Sequence, residues 1–279
     1  KVLSAFDFDG IALGAEFSGH APVGKYPTKG SRKELVDMIH SYDLEIAGYA
    51  PDPYCMPWAT DGENVLNKYK KYFDDCLEMA SDIGSPAMRV DPGSFGPIAR
   101  DADYNEIWDR VVTTFQAQSK QAADKGMTLL WEPETGQIFV KPSEIVKLVD
   151  DIGMENFKIN YDFGHAQAIS VLGHNQVQPT EILEGGQTEF IQMLKGKIGD
   201  VGINDCDNNT FQNLFGKHLG LGKGCLDYED ILCKVIDSGF KGPWWSLDTI
   251  PMSTDTWTNA WDGIHELRPL ISRCLEGRR

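Results

Sequence analysis

The stretch that decides the fold is TLLWEPETGQIFVKPSEIVKLVDDIGMENFKINYDF, residues 128–163. It begins with a short, nearly continuous apolar run, continues through an amphipathic segment at 142–152, and ends in a second apolar run at 157–163. Pro142 suits a helix start because it has no N–H to leave unpaired, and Gly153 suits the residue just past a helix end. The stretch therefore predicts one strand–helix–strand unit of a parallel sheet.

The same alternation continues along the whole chain. Short apolar runs that end in polar residues lie at 10–15, 44–50, 87–92, 128–134, 157–163, 198–205 and 242–249. Amphipathic helices are predicted between them over 31–42, 63–83, 105–123, 142–152, 180–194, 228–238 and 254–274. No linker separates these strand–helix repeats. The pattern therefore predicts one α/β domain over 1–279, either a (β/α)8 TIM barrel or a doubly wound open sheet. No glycine-rich phosphate motif follows an early run, which weighs against a dinucleotide-binding fold.

A barrel of eight strands leaves this count one strand short. The segment VLSAFDFDGIALGA, residues 2–15, is typical of a helix end, a turn and then a strand. We therefore expect the first strand to lie upstream of Lys1 or to be supplied in some other way.

The composition excludes some classes of partner. The chain of 279 residues carries 26 basic and 42 acidic side chains, a formal net charge of −16. So acidic a protein is a poor partner for nucleic acids or anionic membranes, because both are bound through basic residues. No apolar run is long enough to span a bilayer, and residues 1–10 lack the pattern of a signal peptide. We therefore expect a cytoplasmic protein that binds neither nucleic acid nor membrane.

The cysteines are scattered and show no C-x-x-C spacing. In a cytoplasmic chain of this size, the simpler expectation is that they are reduced thiols. The six are Cys55, Cys76, Cys206, Cys225, Cys233 and Cys274.

Acidic residues follow several of the apolar runs. Glu132, Asp162 and Asp248 each lie at the end of a different run, where parallel barrels carry their working residues. If all three point inward, a divalent cation would relieve their mutual repulsion, and oxygen ligands suit Mg²⁺, Mn²⁺ or Ca²⁺. The alternative is that these acids cap helices or pair with lysine and arginine. His165, three residues after Asp162, favours the metal site.

The segment HLGLGKG, residues 218–224, predicts a flexible loop after the run at 198–205. Its glycines allow the backbone to approach a ligand, while His218 and Lys223 offer an imidazole and a positive charge. A glycine-rich loop alone is a weak indication of function.

In chain order, the segments LLWEPE, NYDFGH, VGIND, HLGLGKG and WSLDT resemble the motifs of the xylose isomerase-like TIM barrels. The resemblance extends from Phe6 to about Pro251. This superfamily includes sugar isomerases and epimerases, inosose and dehydroshikimate dehydratases, enzymes that cleave C-glycosides, and AP endonucleases. The resemblance therefore implies a (β/α)8 barrel and leaves the reaction open.

The resemblance also implies a metal held by side chains that follow four strands. Glu132 and Asp162 match two of the family's ligands, whereas the usual histidine falls at Gly202 and the usual glutamate at Asp248. The coordination would have to be completed by water, Asn204, Asp205 or His218. The resulting set of ligands, around Mn²⁺ or Mg²⁺ with Zn²⁺ as an alternative, is Glu132, Asp162, Asp248 and His218.

A metal-dependent isomerase or epimerase of a sugar, sugar phosphate or keto-sugar is the leading hypothesis that the resemblance implies. The cation would polarise a carbonyl and its neighbouring hydroxyl, and proton transfer would pass through an enediolate. Glu132 and Asp248 are the expected base and acid. The residues expected to bind substrate are His165, Trp131, Lys223 and Asp205.

Three alternatives stay open. The first is a lyase that dehydrates a keto-polyol or eliminates the aglycone of a 3-keto-glycoside, with a small partner subunit and an aromatic pocket built from Trp58, Trp131 and Trp244. The second is a catalytically inactive sugar-binding relative, since Gly202 and Asp248 replace two ligands. The third is an AP endonuclease, which the acidic charge opposes. By analogy with the family, we expect a homo-oligomer that binds a small carbohydrate.

Overall fold

The computed structural model describes residues 1–16, 18–53, 56–93, 98–99, 101–211, 215–216, 218–248 and 255–276. The chain forms two compact units. The first consists of Lys1–Glu132 and Leu148–Lys158, and the second of Pro133–Lys147 and Ile159–Arg279. The assignment of one domain to 1–279 stays a prediction.

Four parallel strands in chain order form the sheet of the first unit. They are β1 (Gly10–Gly14), β2 (Glu45–Ala50), β3 (Ala87–Val90) and β4 (Thr128–Trp131). In register, Gly14 lies opposite Ala50, and Val90 lies opposite Trp131. Because parallel strands end at the same edge, residues that follow these strands come together there.

Helices α1 (Val2–Ala5), α2 (Lys29–His40), α3 (Glu63–Asp82) and α4 (Tyr104–Ala123) accompany these strands, with a short 3-10 helix at Val23–Lys25. Two of them begin at capping residues. Thr28 caps α2 in a reciprocal pair with Ser31, and Asp103 accepts hydrogen bonds from the first turn of α4. The core is aromatic: fully buried Trp58 stacks on Tyr69 with ring centroids 4.6 Å apart.

The second unit also has parallel strands. These are β5 (Phe157–Asp162), which begins in the first unit, β6 (Ile198–Ile203) and β9 (Ser246–Leu247). A separate antiparallel pair is formed by β7 (Thr210–Phe211) and β8 (Phe215–Gly216). The helices are α5 (Pro142–Ile152), whose last residues belong to the first unit, α6 (Phe163–Ser170), α7 (Gly186–Met193), α8 (Tyr228–Asp237) and α9 (Thr256–Glu276).

All seven apolar runs contain a strand, which confirms the predicted alternation. Two helix predictions were less successful. Helix α6 was missed because its eight residues are almost all buried, so they show no amphipathic stripe. The helix predicted over 180–194 is wrong in its first part. There, Gln176 donates to the carbonyls of Ile169 and Glu181 and accepts from the Glu181 N–H, so this backbone is satisfied without a helical turn.

The expectation that every cysteine is a reduced thiol is wrong for one pair. Cys233 on α8 and Cys274 on α9 form a disulfide, with Cα atoms 5.4 Å apart. The packing of α8 against α9 brings these two positions within bonding range. Cys76 and Cys206 are buried free thiols and Cys225 is exposed, while Cys55 lies outside the described residues.

None of the described helices is both long and apolar enough to cross a lipid bilayer. The cytoplasmic location stays a prediction.

Candidate functional site

Asp162 stands where β5 passes directly into α6. It is the last residue of the strand and the N-cap of the helix, and its Oδ1 accepts a hydrogen bond of 2.7 Å from the backbone N–H of His165. A capping carboxylate satisfies an N–H that has no partner inside the helix. The cap therefore starts the helix and fixes His165 one turn from Asp162.

The loop that carries His218 is fastened by Asp205, which follows β6. The backbones of Asp205 and Leu219 exchange two hydrogen bonds, of 3.0 and 2.7 Å. The Asp205 carboxylate accepts three more, from the N–H groups of Cys206, Gly224 and Leu226. A Cβ at Gly224 would lie 2.3 Å from Asp205 Oδ1, so the close approach requires glycine there. Asp205 thus holds the loop and places His218 near β5 and β6.

These elements bring Asp162, His165 and His218 together. One potential ligand atom from each of the three lies within 4.8 Å of the others, and all three residues are buried. The two imidazole rings pack edge to face, with centroids 4.9 Å apart. His218 lies between two carboxylates: its Nε2 is 3.5 Å from Asp162 Oδ1, and its Nδ1 is 3.3 Å from Asp248 Oδ2. This set contains two nitrogen donors and one oxygen donor.

Some neighbours of Asp162 raise the pKa of its carboxyl group and others lower it. Burial, and to a smaller extent the nearby Asp248 carboxylate, raise the pKa of this carboxyl group, which comes to about 6 once all its neighbours have acted. His218, the His165 N–H and the Asn204 side-chain amide, 2.5 Å from Oδ2, each lower it. The ionised Asp162 carboxylate therefore lacks full compensation of its negative charge, so a positive ion bound beside it would be stabilised.

The other residues expected to bind substrate in the second unit have defined partners. Lys223 donates from its Nζ to Asn259 Oδ1 on α9, at 2.6 Å. The Asp205 carboxylate is engaged by the loop that it fastens. These contacts indicate supporting roles, and direct contacts of Lys223 and Asp205 with substrate stay predictions.

Glu132, the residue after β4, has a partner in the first unit that the sequence analysis missed. Its Oε2 contacts the Arg89 guanidinium, and Arg89 Nη2 also lies 3.0 Å from Asp52 Oδ1. Arg89 thus joins two buried carboxylates that follow β2 and β4. The sequence contains one indication of this partner, because Arg89 is a charged residue inside the otherwise apolar run AMRV, residues 87–90. The roles of Glu132 as metal ligand and base stay predictions.

Asp91, directly after β3, is a second residue that the sequence analysis missed. It is 1% exposed, its Oδ1 accepts from the Gly93 N–H at 2.7 Å, and burial raises its pKa to about 6. Arg89 lowers this pKa, which places Asp91 within the electrostatic reach of the Asp52–Arg89–Glu132 group. The first unit therefore carries its own cluster of strand-end acids.

The two tryptophans of the first unit that were expected to face substrate lie in the core. Trp131 and Trp58 are both 0% exposed, and the Trp58 Nε1 donates to the carbonyl of Asp91 at 3.2 Å. Neither indole forms part of an open surface in the described structure. A substrate contact of Trp131 stays a prediction, and an aromatic pocket that includes Trp58 is not supported.

Comparisons with known proteins identify the family to which this chain is similar. Residues 1–268 match the family described as xylose isomerase-like TIM barrel. An uncharacterized protein, MJ1311 of Methanocaldococcus jannaschii, is 26% identical over 214 residues, which are 75% of this chain and 66% of that protein. The chain thus spans just under two thirds of the length of this relative.

Two solved structures are similar in fold. The crystal structure of a D-tagatose 3-epimerase-like protein has a TM-score of 0.75 and 21% identity, and the match covers 98% of this chain and 91% of that one. The crystal structure of IOLI protein with a binding zinc atom has a TM-score of 0.73 and 14% identity, over 98% and 91% of the two chains. At these identities the likeness concerns the fold.

Proposed function

This chain belongs to the family of xylose isomerase-like TIM barrels, and from that premise we propose that it is a metal-assisted isomerase or epimerase of a sugar or related polyol. Membership confirms the α/β barrel class expected from the strand and helix pattern. The substrate type named for the D-tagatose 3-epimerase-like protein supports the choice of a sugar. A likeness of fold leaves the reaction open, so the proposal depends on the site itself.

The observation that carries the proposal is the buried set of Asp162, His165 and His218. Its donor atoms lie within 4.8 Å of one another, which is the spacing of ligands that share one ion. One carboxylate and two imidazoles suit a transition ion better than Mg²⁺, whose ligands in proteins are almost always oxygens. The residues therefore fit a divalent metal, and this donor set favours Mn²⁺ or Zn²⁺. Asp162, His165 and His218 would hold it.

When bound there, a divalent cation polarises a carbonyl and the neighbouring hydroxyl of a substrate. Asp162 supplies the negative charge that retains the ion, and the Asp205 hydrogen bonds keep the His218 loop in place. Asp162 and both histidines are buried, so an ion held by them would be shielded from bulk water.

Proton transfer is proposed for Asp248 and Glu132. The Asp248 side chain is 28% exposed and lies 3.3 Å from His218 Nδ1, so it can reach a substrate and exchange a proton with the imidazole. The Glu132 carboxylate contacts the Arg89 guanidinium, and a carboxylate is a group that can accept a proton from carbon. In this proposal each of these carboxylates is a group that takes up or releases a proton during the isomerisation.

Hydrogen exchange at carbon tests the reaction directly. The metal-free protein is reloaded with Mn²⁺ and incubated with ketoses and keto-sugars in D₂O, and deuterium at the carbon next to the carbonyl is followed by NMR. We expect deuterium in at least one substrate, and a loss of about 10²-fold or more in Asp248→Asn and in Glu132→Gln.

Glu63→Gln is the matched control, because Glu63 is an exposed acid at the start of α3. It should exchange deuterium at the rate of the parent. If no substrate that binds acquires deuterium at any such carbon, the isomerase and epimerase proposal is wrong.

A further inference from the structure

Gly202 on β6 gives the Asp162 carboxylate the space that it occupies. The two residues are direct neighbours in the parallel pairing of β5 and β6. A Cβ at Gly202 would lie 2.6 Å from Asp162 Oδ2 and 3.3 Å from its Cγ, which is closer than real Cβ contacts allow. The carboxylate therefore fills the volume into which any β6 side chain at this position would project.

Asn204, two residues further along, holds the carboxylate in that volume. Its Nδ2 donates to Asp162 Oδ2 at 2.5 Å, while the His165 N–H holds the other oxygen, Oδ1, at 2.7 Å. A carboxylate with one fixed donor on each oxygen cannot rotate freely, and each oxygen keeps a further lone pair. The orientation of Asp162 is therefore set by β6 and by the first turn of α6.

The hydrogen bond from Nδ2 to Asp162 Oδ2 orients the side-chain amide of Asn204. Asn204 is 1% exposed, and among the described residues its Oδ1 has no hydrogen-bond partner. The hydrogen bond to Asp162 is therefore the contact that fixes how this buried side chain is turned.

We propose that Gly202 and Asn204 are positioning residues for the metal site: Gly202 makes room for the Asp162 carboxylate, and Asn204 fixes its Oδ2 so that it faces one ion with His165 and His218. This inference rests on the proposed function. Outer hydrogen bonds to metal ligands typically contribute 10- to 100-fold to metal affinity.

Calorimetric titration of the metal-free full chain with Zn²⁺ and with Mn²⁺ tests the inference without an assay of activity. We expect Asn204→Ala to bind 10- to 100-fold more weakly than the parent. Gly202→Ala should weaken binding as well, because the new methyl group displaces Asp162. The double variant should bind no more weakly than Gly202→Ala alone, because the displaced carboxylate has already lost the Asn204 bond.

Gly263→Ala is the matched steric control. A Cβ there would lie 2.7 Å from Leu247 Cδ2, a clash about as close as the one at Gly202 but with an apolar side chain instead of the Asp162 carboxylate. It should lower the thermal midpoint and leave metal affinity unchanged. Circular dichroism checks that each variant folds, and Asn204→Ser provides a smaller change if the alanine variant does not.

The outcomes separate the two proposals. If the parent binds either ion and Asn204→Ala or Asn204→Ser binds it equally well, the positioning role is wrong while the metal site stands. If the effects of Gly202→Ala and Asn204→Ala simply multiply, the shared action through Asp162 is wrong. If the parent binds neither ion up to millimolar concentration, the proposed metal site fails, and the positioning role fails with it.

Discussion

The two units both place buried acids after their strands, but they balance the charge in different ways. In the first unit the guanidinium of Arg89 contacts Asp52 and Glu132, so the positive charge belongs to the protein. In the second unit Asp162 is contacted by the His165 N–H, the Asn204 amide and the His218 ring. An acid paired with arginine has a permanent counter-ion, whereas an acid among amides and imidazoles takes its positive charge from a proton or a metal.

This difference predicts which property of the protein the loss of each counter-charge affects first. The Asp52–Arg89–Glu132 group is a fixed ion pair network, and its loss should appear first as a loss of stability. Asp162 is contacted by a backbone N–H, a side-chain amide and an imidazole, and loss of this group should appear first as a loss of metal binding.

Removal of the permanent counter-ion should give the largest change in stability. Arg89→Met leaves two buried carboxylates facing each other, and we expect the free energy of unfolding in urea to fall by about 3–5 kcal/mol. Arg273→Met is the control, because Arg273 and Glu229 are both more than half exposed, at 59% and 56%. It should cost less than about 1 kcal/mol. Equal losses in the two variants would show that Arg89 is not a buried counter-ion.

The disulfide sharpens the comparison because it belongs to the second unit alone. Cys233 and Cys274 are 41 residues apart, and a crosslink over such a loop stabilises the fold by about 4 kcal/mol in the chain-entropy treatment. Changing both to alanine should therefore lower stability by about 2–4 kcal/mol. Amide exchange should rise in α8 and α9 and not in α2 and α3. Cys225→Ala, at an exposed free thiol, is the control. No effect of the double change would contradict the crosslink.

The pH dependence compares one aspartate with a raised pKa in each unit. Burial raises the pKa of Asp91 to about 6 and that of Asp200 to about 7. The folded state then binds protons more tightly than the unfolded chain, whose Asp pKa is about 3.9, so stability falls as pH rises from about 4 to 7. Asp91→Asn and Asp200→Asn should each remove part of this fall.

At pH 8 each of these variants should be more stable than the parent, by on the order of 1–3 kcal/mol. At pH 4 most of the difference should disappear, because the aspartic acid is then protonated in the folded state and about half protonated in the unfolded chain. Denaturation in urea at the two pH values measures both quantities. A parent and variant that lose the same stability between pH 4 and pH 8 would contradict the raised pKa of that residue.

The sequence was informative about strands and about the acids that end them. Apolar runs with polar ends located all seven parallel strands, because burial on both faces leaves a direct mark on composition. The same runs singled out Asp162 and His165 as candidate site residues, and the glycine-rich segment 218–224 singled out His218. The spacing of residues along the chain reflects the local backbone geometry. Asp162 and His165 lie where a strand passes directly into a helix, so the local backbone fixes how they are placed relative to each other.

The parts that the sequence did not reveal depend on contacts between distant residues. Arg89 and Glu132 are 43 positions apart, and nothing in their spacing pairs them. The hydrogen bond from Asn204 to Asp162 and the room made by Gly202 are likewise contacts between strands. In the sequence Gly202 indicated a missing ligand, whereas in the structure its place is taken by the Asp162 carboxylate.

The most direct test of the account is anomalous diffraction from crystals of the protein loaded with Zn²⁺ or Mn²⁺. We expect one strong anomalous peak bounded by the Asp162 carboxylate and the rings of His165 and His218, and no peak at the Asp52–Arg89–Glu132 group. A peak at the arginine group, or none near Asp162 in crystals that bind the ion elsewhere, would contradict the claim that the second unit takes its counter-charge from a metal.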